Sequence, residues 1–362
     1  MAAAPVASSG MELLGLTRQQ LCARLAERGL PAYRGRQIFR ALHQRLVQTL
    51  DAVHELPKAA RAGLAEEADL SPLRLDQVFE AADGTRRYLF SVRGGHAIET
   101  VWIPDGERVT LCLSSQAGCP MMCAFCATAT LGLQRNLTAG EIVAQVLSVL
   151  RDAGRRTGQP RPAALNLVLM GMGEPLLNYD HVLQALRILA DPEGLHIVPR
   201  RVTLSTVGIV PKIAALGREP GRPNLAVSLT APTDELRARL MPVSLTYPLA
   251  TLRQACLDFP RRSGERITFE YVLLDGVNDG EAEARALLQW LAPLRAREAA
   301  KVNLIPHNPA PGIPFRPSPP ERIARFQARL RAKGLPTYIR RPRGRDIFAA
   351  CGMLAATSSP SA

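Results

Sequence analysis

Gly118-Cys119-Pro120-Met121-Met122-Cys123-Ala124-Phe125-Cys126 sets three cysteines at a C-x3-C-x2-C spacing. Soft thiolates this close together select an iron–sulfur cluster or zinc. A four-iron cluster normally takes four cysteines, so three would leave one iron open. An open coordination position marks a catalytic rather than a structural metal site. Cys119, Cys123 and Cys126 are therefore candidate ligands, and two plainer readings stand beside this one. The segment also suits a zinc site completed by a distant fourth ligand, or three buried thiols with no metal.

At 362 residues the chain is long enough for about two domains and needs no disulfide staples. Lys+Arg is 45 against Asp+Glu 32, a formal charge of +13. Such a surplus favours a polyanionic partner, nucleic acid before an anionic membrane surface. Only Lys58, Lys212, Lys301 and Lys333 are lysines, which points to an arginine-biased, GC-rich genome without explaining the surplus itself. The charge clusters. Arg316 to Arg345 holds ten basic side chains and one acid, Glu321, and Arg18 to Arg45 holds seven arginines against Glu27. Arg322, Arg325, Arg329 and Lys333 recur at helical spacing opposite Ile323, Phe326 and Leu330, so they form one charged helix face. That face suits RNA, and charge reversal at Arg325 and Arg329 is expected to weaken binding; a solvated amphipathic helix is the plainer reading. Seven cysteines, an odd count, argue against a secreted disulfide framework. No stretch approaches the ~18 apolar residues of a membrane span, and Met1 to Gly10 lacks the basic start and apolar run of a signal peptide. A soluble, cytoplasmic monomer is expected, with residues 1–10 a disordered tail.

Thr17-Arg18-Gln19-Gln20 is a capping box that opens a helix closed by Gly29 and Pro31. Helical patterns continue over Gly35–Leu50 and Lys58–Ala68, giving a basic helical domain over 11–70. The period then changes to two. Asp83-Gly84, Gly94-Gly95 and Asp105-Gly106 are turn signals between runs such as Tyr88–Val92 and Ala97–Ile103, a β-meander over 71–107. From 108 to 345 the chain alternates. Predicted strands are Val109–Leu113, Leu165–Met170, Val202–Ser205, Leu225–Leu229, Ile267–Leu273 and Val302–Ile305, with helices between most of them. A second capping box, Thr138-Ala139-Gly140-Glu141, opens the first of these helices. Six βα units imply an α/β fold with a parallel sheet curled into a partial (β/α)6 barrel, whose chemistry collects on loops after the strands. Pro306–Pro320 reads as a stiff loop, and 346–362 as a terminal segment carrying Cys351.

The cysteine segment resembles the radical S-adenosylmethionine (SAM) superfamily, which usually places an aromatic where Phe125 stands. The resemblance implies one 4Fe-4S cluster, its open iron chelated by the amino and carboxylate groups of SAM. Gly171-Met172-Gly173-Glu174-Pro175 follows the second barrel strand. Glycines such as Gly173 let backbone approach a ligand closely, and Glu174 can hold an amino group. Ser205, Ser228 and Asn308 sit at or beyond strand ends, where they can bind SAM or serve as ordinary loop residues. Cys22 and Cys256 read as small hydrophobes. Cys351 lies among arginines that favour a nucleophilic thiolate, and Cys112 ends the first barrel strand.

From Tyr33 to Leu354 the chain resembles the dual-specificity radical-SAM adenine-2 RNA methyltransferases. The matching stretches are Ala97–Val101, Cys112–Cys119, the cluster cysteines, Gly171–Pro175, Arg201–Thr206, Phe269–Asp279, Val302–Pro306 and Ala349–Gly352. The resemblance implies 23S rRNA and tRNA as partners, with two SAM per turnover. One SAM methylates Cys351; the second yields a 5′-deoxyadenosyl radical that takes hydrogen from the S-methyl group. The methylene radical adds to carbon 2 of adenine, Glu99 removes the ring proton, and Cys112 resolves the crosslink as a Cys112–Cys351 disulfide. A one-electron donor and a disulfide reductant are implied as well. Without the family, Glu99 reads as an exposed strand carboxylate. Three positions depart from the family pattern: Thr230 where a SAM-binding histidine is usual, His307 for tryptophan, and Phe348 for an acid. A relative methylating carbon 8 shares nearly every motif, and a non-catalytic iron–sulfur RNA-binding protein is the rival of another class.

Overall fold

The structure, a computed structural model, describes residues 10–159 and 161–356, so the expected tail lies outside it except for Gly10. A short parallel pair, β1 (Met11–Glu12) on β2 (Ala68–Asp69), ties the two ends of the helical segment together. Between them run α1 (Arg18–Ala26), α2 (Tyr33–His43) and α3 (Lys58–Glu67). The Thr17 capping box forms as expected: Thr17 Oγ1 accepts from the Gln20 amide at 3.3 Å, and Gln20 Oε1 accepts from the Thr17 amide at 2.8 Å.

α2 ends seven residues before the expected Leu50. Leu46 turns left-handed (φ 61°), and Arg151 donates to the carbonyls of Leu46 and Val47 at 2.8 and 2.9 Å. Carbonyls a longer helix would have bonded internally are satisfied from the barrel side instead. The last residue of α2, His43, is buried against Phe39 with ring centroids 4.4 Å apart. Neither of its ring nitrogens has a partner among the described residues.

The main sheet has ten strands in the order β14-β13-β12-β11-β10-β9-β6-β5-β4-β3. β3 (Leu73–Glu80), β4 (Arg86–Val92), β5 (Ala97–Asp105) and β6 (Arg108–Cys112) pair antiparallel in sequence order. β7 (Gln116–Gly118) and β8 (Leu133–Asn136) form a separate hairpin around the cysteine segment. The remaining strands run parallel: β9 (Ala164–Leu169), β10 (Val202–Thr206), β11 (Asn224–Ser228), β12 (Ile267–Leu273), β13 (Ala300–Pro306) and β14 (Thr337–Ile339). This is the expected partial barrel. Each anticipated strand lies within two residues of its place, and Ile267–Leu273 is unshifted. β14 was not anticipated, because three residues between Pro336 and Arg340 carry too short a pattern to read as period two.

Helices return the chain between parallel strands: α4 (Ala139–Thr157), α5 (Tyr179–Ala190), α6 (Val210–Gly217), α7 (Asp234–Leu240), α8 (Leu249–Asp258), α9 (Glu281–Ala296) and α10 (Pro320–Ala332). α4 opens at the expected Thr138–Glu141 capping box. α10 buries Ile323, Phe326 and Leu330, so its arginines do share the outer face. No helix among the described residues is long and apolar enough to cross a membrane.

Burial, with Arg151 nearby, pushes His43 down to about 3 from its ordinary 6.5. The unfolded chain therefore binds the extra proton first. Stability is full above pH ~6.5 and falls as pH drops toward 3, by at most ~1.4 kcal/mol per pH unit. His43→Leu is expected to flatten that acid slope by roughly 1 kcal/mol per unit between pH 6 and 4.5. Urea midpoints measured across that range test it, and an unchanged slope would mean that His43 is not the group being titrated.

Candidate active site

Two loops are locked to one another at the top of the barrel. Residues 113–116 follow β6, and residues 171–174 follow its neighbour β9. The amides of Ser115 and Gln116 donate to the Met172 carbonyl at 2.8 and 3.2 Å, and the Gly171 amide donates to the Leu113 carbonyl at 3.1 Å. Ser114 Oγ accepts from the Met172 amide at 3.0 Å and donates to the Glu99 carbonyl at 2.6 Å. Gln116 Oε1 accepts from the Glu174 amide at 2.8 Å. Gln145 of α4 closes the network from below: its Oε1 accepts from Thr100 Oγ1 and the Ser114 amide, and its Nε2 donates to the Ser114 carbonyl. Gly173 sits at φ 103°, and a Cβ there would lie 2.6 Å from Gln116 Cβ. Only glycine fits so close an approach.

This clasp brings Cys119, Cys123 and Cys126 into one cavity with Gly173 and Glu174. Ser205, Ser228, Thr230, Asn308 and Cys351 line it too, so ten of the twelve candidate site residues meet there. No three His, Cys, Asp or Glu side chains among the described residues gather about a single metal position. The three thiols line one cavity and act electrostatically on one another, a soft donor set that fits an iron–sulfur cluster. Burial pushes Cys119 up to about 12 and raises Cys123 and Cys126 as well. Thiols so placed become thiolates through metal binding, which releases their protons.

The other end of the cavity is polar and incompletely satisfied. Thr230 Oγ1, Glu270 Oε2 and His307 Nε2 are buried with no protein partner among the described residues. Buried polar groups left unpaired cost about 1–3 kcal/mol each, so their convergence fits a polar ligand such as SAM. Thr230 is also held left-handed (φ 57°), an outlier for a β-branched residue. Asn278 explains how: its Nδ2 donates to the carbonyls of Thr230 and Val272, both at 2.7 Å. Arg237, wholly buried, donates to the carbonyls of Val207, Ser228 and Leu229 and so fixes the ends of β10 and β11. Glu174 accepts from the amides of Leu176 (3.0 Å) and Val207 (2.8 Å), and burial carries its pKa to about 7.

Cys351 arrives on a C-terminal strap pinned across the cavity. Gly352 O accepts from the Ala127 amide at 2.8 Å, and Leu354 O accepts from Thr128 Oγ1 at 2.7 Å. Asn308 Nδ2 donates to the Cys351 carbonyl at 3.0 Å, while Arg345 donates to Asn308 Oδ1 at 2.7 Å. The strap also carries Phe348 left-handed, at φ 54°. Cys112 is buried outside the cavity lining, close enough that Cys351 is the second cause, after burial, of its rise to about 12. Arg340 opposes that rise, and its own pKa is raised by Cys351 first, then by Glu270 and Cys112.

Glu99 does not line the cavity either. It is fully buried on β5, ion-paired with Arg87 across the β4–β5 ladder, not exposed as its strand alone suggested. Burial raises its pKa, opposed by Arg87 and by the amides of Ala356 and Ala355 in the strap. Two residues missing from the sequence reading are Glu270 and Arg340. Glu270, held by Asn303 Nδ2 at 3.0 Å, interrupts the otherwise apolar Ile267–Leu273 run. A lone carboxylate in such a run was a signal. Arg340 was hidden among its neighbouring arginines.

Most charge in the N-terminal basic cluster is matched internally. Arg18, Arg36 and Arg40 converge on Glu193, with Arg18 also on Asp191 at 3.1 Å. Arg24, Arg28 and Arg45 pair with Glu27, Glu67 and Glu55. On α10, Arg322 pairs with Asp275 and Asp279 and Arg329 with Glu281, leaving Arg325 and Arg331, and Lys333 just past the helix, without an ion pair among the described residues.

Fold and cavity define a radical SAM methyltransferase. A model of the radical SAM superfamily matches residues 113–288, and one of the ribosomal RNA large subunit methyltransferase N-terminal domain matches residues 11–70. The crystal structure of a radical SAM methyltransferase from Sphaerobacter thermophilus superposes with a TM-score of 0.91 at 47% identity, covering 96% of this chain and all of that one. The dual-specificity RNA methyltransferase RlmN of Syntrophobacter fumaroxidans is 48% identical over 91% of this chain and 93% of its own. That of Paracoccus denitrificans is 46% identical over 96% and 90%. The chain belongs to the RlmN family of RNA methyltransferases.

Gly173→Ala is expected to cost at least about 1–3 kcal/mol of stability and to abolish SAM binding, because the added methyl drives the two clasped loops apart. Urea unfolding and equilibrium dialysis with SAM check it; wild-type values in both would refute the close-approach argument.

Proposed function

We propose that this enzyme methylates carbon 2 of one adenosine in 23S rRNA, and of one beside the anticodon in tRNA, through an S-methyl group on Cys351. The observation that most supports this is the placement of Cys351 in the cavity of Cys119, Cys123 and Cys126, with Cys112 buried behind it. We read residues 11–70 as a basic helical domain, 71–107 as the meander joining it to a core over 108–345, and 346–362 as the catalytic-cysteine segment. Cys119, Cys123 and Cys126 would hold a 4Fe-4S cluster, and Gly173, Glu174, Ser205, Ser228, Thr230 and Asn308 would seat SAM. When bound, these groups supply a methyl group from one SAM and a hydrogen-abstracting radical from a second.

The protein's own side chains do the rest. Carbon 2 of adenine is electron-poor and cannot attack a sulfonium methyl, whereas the Cys351 thiolate can. After losing a hydrogen atom, the methyl group on Cys351 becomes a methylene radical that adds to that carbon. The adduct gives its ring proton to Glu99 and must lose one electron, for which the 4Fe-4S cluster held by Cys119, Cys123 and Cys126 would be the acceptor. Attack by the Cys112 thiolate on Cys351 Sγ forms a disulfide and breaks the S–C bond, and the released carbon takes up a proton to become the methyl group. A one-electron donor and a disulfide reductant restore the enzyme. Glu99 lies beneath Ala355 and Ala356, so the strap must lift for it to reach a bound base. Arg340 favours the charged form of Cys112 against the cost of burial.

Nucleoside mass spectrometry of rRNA and tRNA from cells with and without the gene is expected to show loss of 2-methyladenosine. Loss of 8-methyladenosine instead would place the enzyme with the carbon-8 relatives. In the reconstituted enzyme, Cys351→Ala should lower methylation at least about a hundredfold, a loss of ~2.7 kcal/mol or more in transition-state stabilisation. Full activity in that variant would exclude the thioether route. Cys112→Ala should instead leave RNA covalently attached to the protein, visible as a shifted band on denaturing gels; a variant that turns over without crosslinking would show that Cys112 is not the resolving thiol.

A further inference from the structure

A second cavity, of about 270 Å³, reaches Cys351 from outside the barrel. Its walls are Ile103, Asp105 and Thr110 of the β5–β6 pair on one side, and the end of β13 with residues 340–343 on the other. These two sides are not hydrogen-bonded to each other: β14 ends the sheet, while β6 continues into β5. The cavity is thus the lateral seam where the partial barrel fails to close. Cys351, Asn308 and Arg340 belong to both cavities, so the strap stands as a wall between them. The inner cavity is the one lined by cluster cysteines and SAM-site candidates, and a substrate must reach Cys351 without displacing them.

The seam also carries basic charge with few carboxylate partners. Arg340, Arg341, Arg343 and Arg345 fall within six residues, immediately before the strap. Arg340 faces inward to the thiols and Arg345 is committed to Asn308. Arg341 is exposed and makes no ion pair among the described residues. Arg343 makes only long contacts, 3.8 Å to Asp83 and 3.9 Å to Asp105. Asp105, the carboxylate in the lining, is already paired with Arg108 at 2.8 Å. Arg341 and Arg343 both line this cavity, and guanidinium binds phosphate bidentately, so they suit the phosphates of a nucleotide chain.

We propose that this seam is the port by which a single-stranded RNA nucleotide reaches Cys351, with Arg341 and Arg343 gripping the phosphates on either side of it. The proposal rests on RNA being the substrate, and it names where the chain receives it. The N-terminal arginines hold the helical segment against Glu193 and Asp191, and α10 is half neutralised, so neither offers a comparable grip beside the reacting sulfur.

The test uses the full-length reconstituted enzyme and a fluorescent anticodon stem-loop RNA with an adenosine 3′ to the anticodon, titrated from 50 to 200 mM salt. Arg341→Glu should weaken binding about tenfold, and Arg341→Glu with Arg343→Glu further still. Each lost phosphate contact should reduce the log–log salt slope by roughly 0.7. Arg325→Glu, expected from the helix face alone to weaken binding, should instead change affinity less than twofold, because Arg325 lines neither cavity that reaches Cys351. Arg341→Gln, which keeps size and polarity, should lie between wild type and Arg341→Glu and guards against loss of folding. SAM cleavage without RNA should be unchanged in all of them, while the KM for RNA rises in the seam variants. If wild type binds RNA and the seam variants match it in affinity and slope, the port is wrong and the RNA reading survives. If wild type binds no RNA, both fall together.

Discussion

The structure depends on the hydrogen-bonded clasp between residues 113–116 and 171–174. Six bonds from backbone amides and the side chains of Ser114, Ser115 and Gln116 hold two adjacent strand ends at a spacing that only Gly173 tolerates. Everything on the reactive side is indexed to it. The β7–β8 hairpin leaves one arm of the clasp and delivers the three thiols; Glu174 leaves the other arm and faces them across the cavity. Gln145 ties the clasp to α4, so the first helix of the barrel fixes the register of the site.

Around that fixed centre the protein tolerates unfavourable terms that a purely structural fold would remove. Thr230 is left-handed with its hydroxyl unpaired, Glu270 keeps a bare carboxylate oxygen, and the three loop thiols have raised pKa values. Strain of this kind, about 1–3 kcal/mol per site, persists where surrounding bonds over-determine it. Asn278 and Arg237 provide those bonds, each reaching carbonyls at the ends of neighbouring strands. The unmet groups point into one cavity, which a bound cluster and SAM would satisfy together.

Charge is distributed by the same logic. The positive surplus first suggested two RNA-binding faces, the N-terminal arginines and α10. Most of those side chains instead find carboxylates: three N-terminal guanidiniums meet Glu193, so that cluster joins the helical segment to the barrel. A sequence shows how many arginines a segment carries, but an ion pair between Arg36 and Glu193 joins residues far apart along it. Of the side chains left without an ion pair among the described residues, Arg341 lies at the seam beside Cys351, whereas Arg325 lies apart from it on α10.

The sequence by itself determined the partial barrel, its six predicted strands and the spacing of the three-cysteine loop. Alternation, capping boxes and ligand spacing are local properties, carried by residues a few positions apart. It also singled out Cys112, Cys351 and Glu99, through resemblance and not through pattern. Tertiary structure alone decided that Glu99 is buried against Arg87 under the strap, that Glu270 and Arg340 face the thiols, and that α2 stops at His43. It alone left the barrel open beside Cys351. Each of these depends on which distant segments meet, and on whether a polar group finds its partner there, which no local pattern encodes.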